Sequence, residues 1–306
     1  MQQEPERKGE VLFMEKVCDL HTHSVFSDGT WTPEELIREA ERIGLSAIAL
    51  TDHNTVFGLP RFLEAAKDST VEAIPGVEFS TDYLGRDIHL VAHYVVPEYF
   101  SQVTEKMEDG SRQKDESNRK LIENLSRIGM KIDYESMVKS APKVQLNRAN
   151  IASVMVKNGW VRDMQDAFNR YLEPGCGLYE PPRRPSLFEM IRFTRSIGAV
   201  PVLAHPFLKL SEAELRTLLP QAKEQGLAAM ETEYVSFDAE TTALAKNLAG
   251  EYGLLQSGGS DFHGDNKPGI FLGVGRGNLR VPLSFRDGIY GEAVISPGIA
   301  SAYHNE

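Results

Sequence analysis

Apolar positions along the chain fall into short buried runs and helical stripes, and their alternation predicts an α/β protein. Val17-Cys18-Asp19-Leu20 reads as a first strand. Thr32 with Pro33 and Glu35 has the form of a capping box with proline at the first helical position. Leu36, Ile37, Ala40 and Ile43 then recur at helical spacing until Gly44. Ser46 to Thr51 reads as a buried parallel strand, and Leu59, Phe62, Leu63 and Ala66 mark the face of a second helix. Val71 to Val77 and Ile88 to Val96 read as the third and fourth strands.

From about Pro97 to Pro185 the alternation breaks, and amphipathic helices take over. Leu121, Ile122, Leu125 and Ile128 mark one of these; Ile151, Val154 and Met155 mark another. Met164, Ala167, Phe168, Tyr171 and Leu172 fit a third. The alternation resumes with Ser186 and Glu189 as a capping box, a strand from Val200 to Ala204, and a helix opened by Ser211 with Glu214. Pro220 is expected to kink that helix or end it early. A strand from Ala228 to Val235, a helix from Ala239 to Tyr252 and a strand from Leu254 to Ser257 complete the series. Repeated strand and helix units imply a parallel sheet closed into a barrel. The expected organisation is a tail over 1–16, a discontinuous barrel over 17–97 and 186–306, and an inserted helical domain over 98–185.

Composition narrows the class. The chain has 306 residues, enough for one large domain plus a small insertion. No apolar run approaches the length of a membrane span, and Met1 to Glu15 lacks the apolar core of a signal peptide. Cys18 and Cys176 are too few for a disulfide framework, so a reducing cytoplasm is expected. A formal charge of −11 argues against binding long nucleic acids. It leaves open a small anionic substrate, because bound cations reverse the local sign.

The chemistry collects at the strand ends. His21 and His23 are two apart at the end of a strand, so both side chains point the same way and can share a metal ion. Asp28, His53, Glu78, His205, Asp261 and His263 also fall at or just after strand C-termini. In a parallel barrel those ends meet on one face, where active sites lie. Imidazole and carboxylate donors without thiolates suit manganese, iron or zinc. A glutamate such as Glu78 can bridge two ions that clamp a phosphoryl group and activate water.

The motifs Leu20-His21-Thr22-His23, Ser27-Asp28-Gly29, Thr51-Asp52-His53, Gly76-Val77-Glu78, Ala204-His205-Pro206 and Ser260-Asp261-Phe262-His263 resemble the PHP (polymerase and histidinol phosphatase) family. The match is nearest to its stand-alone phosphoesterases, which include nucleoside 3′,5′-bisphosphate and AMP phosphatases. The resemblance implies a distorted (β/α)7 barrel, an inserted cap and three divalent ions, manganese first, with iron, zinc or magnesium as alternatives. It assigns His21, His23, Glu78 and Asp261 to one ion; Glu78, His89 and His205 to a second; Asp28, His53 and His263 to the third. It also implies that a hydroxide bridging two ions, held by Glu78, attacks phosphorus with no side-chain nucleophile. Arg148, in Leu146-Asn147-Arg148-Ala149-Asn150, matches a cap arginine that touches the substrate phosphate. Close members usually carry histidine where this chain has Asn150, and a Gly-Lys-Pro-like turn where it has Gly175-Cys176-Gly177.

Several residues have plainer readings. His93 reads as a satisfied buried histidine or one that supports a metal ligand from behind, His304 as solvated, and Cys18 as a small core residue. Asp52 reads as an orienting group. Glu231 divides between a site role and a surface role, and Arg183-Arg184 reads as a solvated basic pair. The expected activity is hydrolysis of a small phosphorylated metabolite, a nucleotide first. Histidinol-phosphate phosphatase and exonuclease on short RNA are the alternatives on this scaffold. An amidohydrolase is the alternative of another class, but no lysine stands in strands three to six to be carboxylated. A non-catalytic metal-binding module predicts missing ligands, and none is missing.

Overall fold

The computed structural model describes residues 16–141, 146–182 and 184–295. The tail before Lys16, Arg183 and His304 therefore lie outside the described residues. The strands are β1 (Val17–Asp19), β2 (Ala47–Leu50), β3 (Glu72–Tyr83), β4 (Arg86–His93), β5 (Val200–Leu203), β6 (Ala229–Tyr234), β7 (Leu255–Gly259) and β8 (Val281–Pro282). They form one sheet in the order β7-β6-β5-β4-β3-β2-β1-β8. The ends meet: Leu20 N donates to Gly258 O at 3.1 Å and Asp261 N to His21 O at 2.9 Å. A Cβ on Gly259 would lie 2.4 Å from the His21 Cβ, so closure requires glycine there. The result is a distorted (β/α)7 barrel, with β8 laid antiparallel beside β1.

The sheet is not purely parallel. β3 pairs antiparallel with β4, and β4 antiparallel with β5. β3 also runs well past the expected Val77, so Glu78 lies within a strand rather than at its end. The cause is local: Leu84 and Gly85 both take positive φ, 55° and 76°, and such a two-residue turn makes a hairpin. A hairpin forces antiparallel neighbours, whereas a parallel pair needs a crossover.

The helices are α1 (Pro33–Ile43), α2 (Leu59–Ala66), α3 (Phe100–Arg127), α4 (Tyr134–Ser140), α5 (Arg148–Lys157), α6 (Met164–Ala167), α7 (Leu187–Ser196), α8 (Glu212–Glu224), α9 (Ala239–Glu251) and α10 (Leu283–Ile295). The Thr32–Glu35 and Ser211–Glu214 capping boxes both form, each a contribution of about 1 kcal/mol. Ser186 makes no side-chain cap bond, and the Glu189 carboxylate, the other half of the expected box, pairs with Lys106 of α3. α8 runs through Pro220 to Glu224 rather than ending there. The Arg216 carbonyl, which a proline four residues on cannot bond, accepts instead from the Tyr252 hydroxyl at 3.4 Å.

Three apolar clusters result. Small residues such as Cys18, Ala47, Ala49, Val202 and Ala229 fill the barrel interior. Burial raises the Cys18 thiol pKa far above its ordinary value, in keeping with a core residue. Leu36, Leu50, Phe62, Phe79 and Met190 join the outer helices to the sheet. Leu121, Leu125, Ile151, Met155 and Leu172 form a separate core within the inserted helices.

Candidate metal centre

The mouth of the barrel is assembled by buried carboxylates that bind backbone. Asp19, fully buried, accepts from Ser260 N at 2.9 Å and Gly273 N at 2.8 Å, tying β1 to the segment after β7. Asp52 accepts from Ser24 N at 2.7 Å and from the Ser24 and Ser27 hydroxyls at 2.6 Å. It thus shapes the loop between His23 and Asp28, and reaches His23 only through the Ser27 hydroxyl, 3.4 Å from Nδ1. Asn54, His205 and Asp261 have positive φ of 53°, 29° and 52°, a strained conformation for side chains other than glycine. Strain of this kind is held where the surroundings over-determine the backbone, and all three positions border the same mouth.

Glu78 is the centre. Its carboxylate oxygens lie within 3.2 Å of five imidazoles, those of His21, His23, His53, His89 and His205. Around Oε2 gather His21 Nε2 and His23 Nε2, each at 3.2 Å, and Asp261 Oδ1 lies 3.3 Å from His23 Nε2. Around Oε1 gather His89 Nδ1 at 2.7 Å and His205 Nε2 at 2.9 Å. Asp28 holds the remaining group, with His263 Nε2 at 3.2 Å and His53 Nε2 at 3.8 Å. His53 Nδ1 also lies 3.1 Å from Glu78, so this ring spans two groups rather than belonging only with Asp28 and His263. All nine sequence-expected donors are thereby brought to one mouth.

These clusters are able to hold divalent metal ions. Asp28 Oδ1, His53 Nδ1 and Glu78 Oε2 are buried without a hydrogen bond among the described residues, which is costly unless a cation meets them. Burial opposes ionisation of Glu78, yet His89, His21 and His53 outweigh it and hold its pKa well below the usual range. Asp28 and Asp261 are likewise held well below theirs, against burial, by neighbouring imidazoles and, for Asp261, first by Lys267. Burial lowers His53 to about 3, leaving a neutral ring ready to ligate. His89 goes the other way: Glu78 and Asp87 overcome burial and raise it to about 10.

Three supporting residues escape motif reading. Glu231 Oε1 lies 2.7 Å from His21 Nδ1, and its Oε2 accepts from His205 N at 2.6 Å. The carboxylate therefore orients one imidazole and clamps the backbone of another. Asp261 Oδ2 accepts from Tyr234 Oη at 2.7 Å and Lys267 Nζ at 2.6 Å, leaving Oδ1 to face His21 and His23. A glutamate following the apolar run Ala228-Ala229-Met230 is the one available sequence signal; Lys267 has none. His93 corrects the expectation of a satisfied histidine: it is buried, and neither ring nitrogen has a hydrogen bond among the described residues. Burial lowers its pKa to about 3. Glu231→Gln should weaken metal binding about 10- to 100-fold, read by titration against a competing chelator. A dissociation constant within twofold of wild type would contradict the orienting role.

A cavity of about 620 Å³ lies over this mouth, with Asp28, His53 and His89 on the barrel side and Lys114, Arg148 and Tyr179 on the other. Arg148 donates to Leu172 O at 2.8 Å, and its guanidinium carbon lies 4.5 Å from the centre of the Tyr179 ring. Asn147 caps α5, and Asn150 completes that capping box by accepting from Asn147 N at 2.7 Å. Asn150 is thus committed to the helix start.

Such donors, gathered at a barrel mouth beneath a cavity that Lys114 and Arg148 also line, belong to a metal-dependent hydrolase acting on phosphoric esters, and known relatives agree. The profile of the PHP domain family matches residues 19–173, just over half of the chain, and the chain belongs to that family. A 5′-3′ exoribonuclease of Haemophilus influenzae is 29% identical over 251 residues, spanning 82% of this chain and 91% of the relative. A 3′,5′-nucleoside bisphosphate phosphatase of Chromobacterium violaceum is 27% identical over 259 residues, spanning 83% of this chain and 90% of the relative. Among solved structures, a Bifidobacterium adolescentis protein provisionally described as a metal-dependent phosphoesterase superposes with a TM-score of 0.79 at 26% identity. That superposition covers 90% of this chain and 96% of the other. No described helix is long and apolar enough to cross a membrane.

Proposed function

We propose that this enzyme removes phosphate from a nucleotide, AMP or a nucleoside 3′,5′-bisphosphate, with three divalent ions, manganese first. In this reading His21, His23, Glu78 and Asp261 take one ion, and Glu78, His89 and His205 a second. Asp28, His53 and His263 take the third. The observation that carries the reading is the cavity of about 620 Å³, which joins Asp28, His53 and His89 of this donor set to Lys114 and Arg148 and is large enough for a nucleotide. Bound ions would withdraw charge from the phosphoryl group and lower the pKa of water.

The chain's own residues supply the rest. Glu78 holds two donor groups in one frame, while Glu231, Tyr234 and Lys267 keep His21 and Asp261 turned inward. Complete burial of His21, His23 and Glu78 keeps bulk water from competing for these contacts. Residues 98–185 act as the cap inserted between barrel segments 17–97 and 186–306. Unpaired Cys18 and Cys176 fit a reducing cytoplasm.

Arg148 faces the substrate phosphate in this reading. Arg148→Ala should raise KM about tenfold or more with a smaller change in kcat, read by steady-state kinetics. Unchanged kcat/KM would remove Arg148 from the site. The reading itself is tested by phosphate release from AMP, 3′,5′-bisphosphates, histidinol phosphate, sugar phosphates and a short 5′-phosphorylated RNA. Selective turnover of a nucleotide supports it; turnover confined to a non-nucleotide would overturn it. Short RNA is the second reading, favoured by the exoribonuclease relative, while the charge of −11 weighs against long polymers.

A further inference from the structure

The cations around the cavity are not equivalent. Lys106 pairs with Glu189, Arg184 with Asp87 at 3.0 Å, and Arg148 with Leu172 O and Glu173. Lys114, on the inner face of α3, lines the same cavity and makes no hydrogen bond or ion pair with any described residue. It is half-buried, so its charge is only partly solvated. Burial lowers its pKa, as do Arg148 and Arg184, against attraction from Asp28 and Asp87. An ammonium in this setting gains from an anion brought by a ligand.

The position of Lys114 says which anion. A phosphoryl group undergoing hydrolysis has to sit against the donors around Glu78. Lys114 forms no ion pair with Asp28, Glu78 or Asp261, so it stands off from that mouth, toward the cap. A phosphate monoester of a small alcohol would not fill about 620 Å³. The natural occupant reaches from the mouth to the cap and is anionic at both ends.

We infer that Lys114 is a specificity-determining residue that binds a second phosphate of the substrate, one nucleoside away from the phosphate being removed. This rests on the nucleotide phosphatase reading and deepens it, because it favours substrates with two phosphates over AMP. The second phosphate is either free, as in a 3′,5′-bisphosphate, or esterified, as in a short 5′-phosphorylated oligonucleotide.

The test compares kcat/KM for adenosine 3′,5′-bisphosphate, the 5′-phosphorylated dinucleotide pApA, and AMP in wild type, Lys114→Met and Lys114→Arg. Methionine keeps the apolar stem and removes the charge; arginine keeps the charge. The preference for a two-phosphate substrate over AMP should fall about ten- to hundredfold in Lys114→Met and recover in Lys114→Arg. Loss with the bisphosphate alone identifies a free second phosphate, and loss with pApA alone an esterified one. Equal losses on AMP and both two-phosphate substrates, or no loss, would overturn the proposal. Wild-type turnover separates the two claims. If wild type cleaves none of the three, the nucleotide phosphatase reading fails. Calorimetric binding of the bisphosphate, pApA and AMP to the metal-reconstituted proteins then decides on Lys114 by the same ratios. If both two-phosphate ligands bind wild type no tighter than AMP does, the proposal is overturned there too.

Discussion

Glu78→Gln is expected to abolish phosphate release, with kcat falling by about a thousandfold or more. The size follows from position. One carboxylate serves five imidazoles within 3.2 Å, with Oε1 facing one donor group and Oε2 another. Glutamine keeps the shape but removes the charge, and it presents an NH2 where an imidazole or a cation expects an oxygen. The variant is expected to fold, because glutamine keeps the side-chain shape and β3 keeps its ladder with β4 through the backbone. Metal content and kcat should therefore fall together while the unfolding temperature of the chelated protein changes little. A folded, metal-loaded variant with near-wild-type turnover would contradict the bridging role.

Removing metal is the second large effect, and it carries a pH signature. Chelation should eliminate turnover and lower stability by about 4 kcal/mol for each ion held at a thousandfold excess over its dissociation constant. In the metal-free protein His23 is raised to about 9, against burial, by Asp261 and Glu78, and His89 to about 10, against burial, by Glu78 and Asp87. Groups with raised folded-state pKa values stabilise the fold fully below their unfolded values near 6.5. That contribution is lost as pH rises through the folded values of about 9 and about 10. Ligation also needs those rings deprotonated, so metal binding releases protons. The stabilisation conferred by metal should therefore grow from pH 6 to pH 8.5, measured by thermal unfolding with and without manganese. A gain independent of pH would mean that His23 and His89 do not ligate.

How far the sequence carries the argument depends on how local each feature is. His21, His23 and Asp28 are legible because a strand end and a turn place them within a few residues of one another. Asp261 and His263 are legible for the same reason. The antiparallel course of β4 is harder, since it follows from positive φ at Leu84 and Gly85, and leucine does not advertise that conformation. His89 could be chosen over His93 only by resemblance, although both lie on β4 with the same strand parity. Geometry separates them: His89 contacts Glu78 at 2.7 Å, and the His93 ring nitrogens have no hydrogen bond among the described residues. Ser186 shows the limit of a local rule: it caps nothing with its side chain, and the Glu189 carboxylate meets Lys106 of a distant helix. Glu231, Tyr234 and Lys267 matter only through contacts made across the barrel mouth, and no spacing records those.

The most direct measurement is phosphate release from AMP and adenosine 3′,5′-bisphosphate as manganese is titrated into the chelated protein, with bound metal quantified at each step. The account predicts no release without metal and activity that rises with occupancy to saturate at three ions per chain. Release by the fully chelated protein, or three bound ions with no phosphoester cleaved, would contradict it.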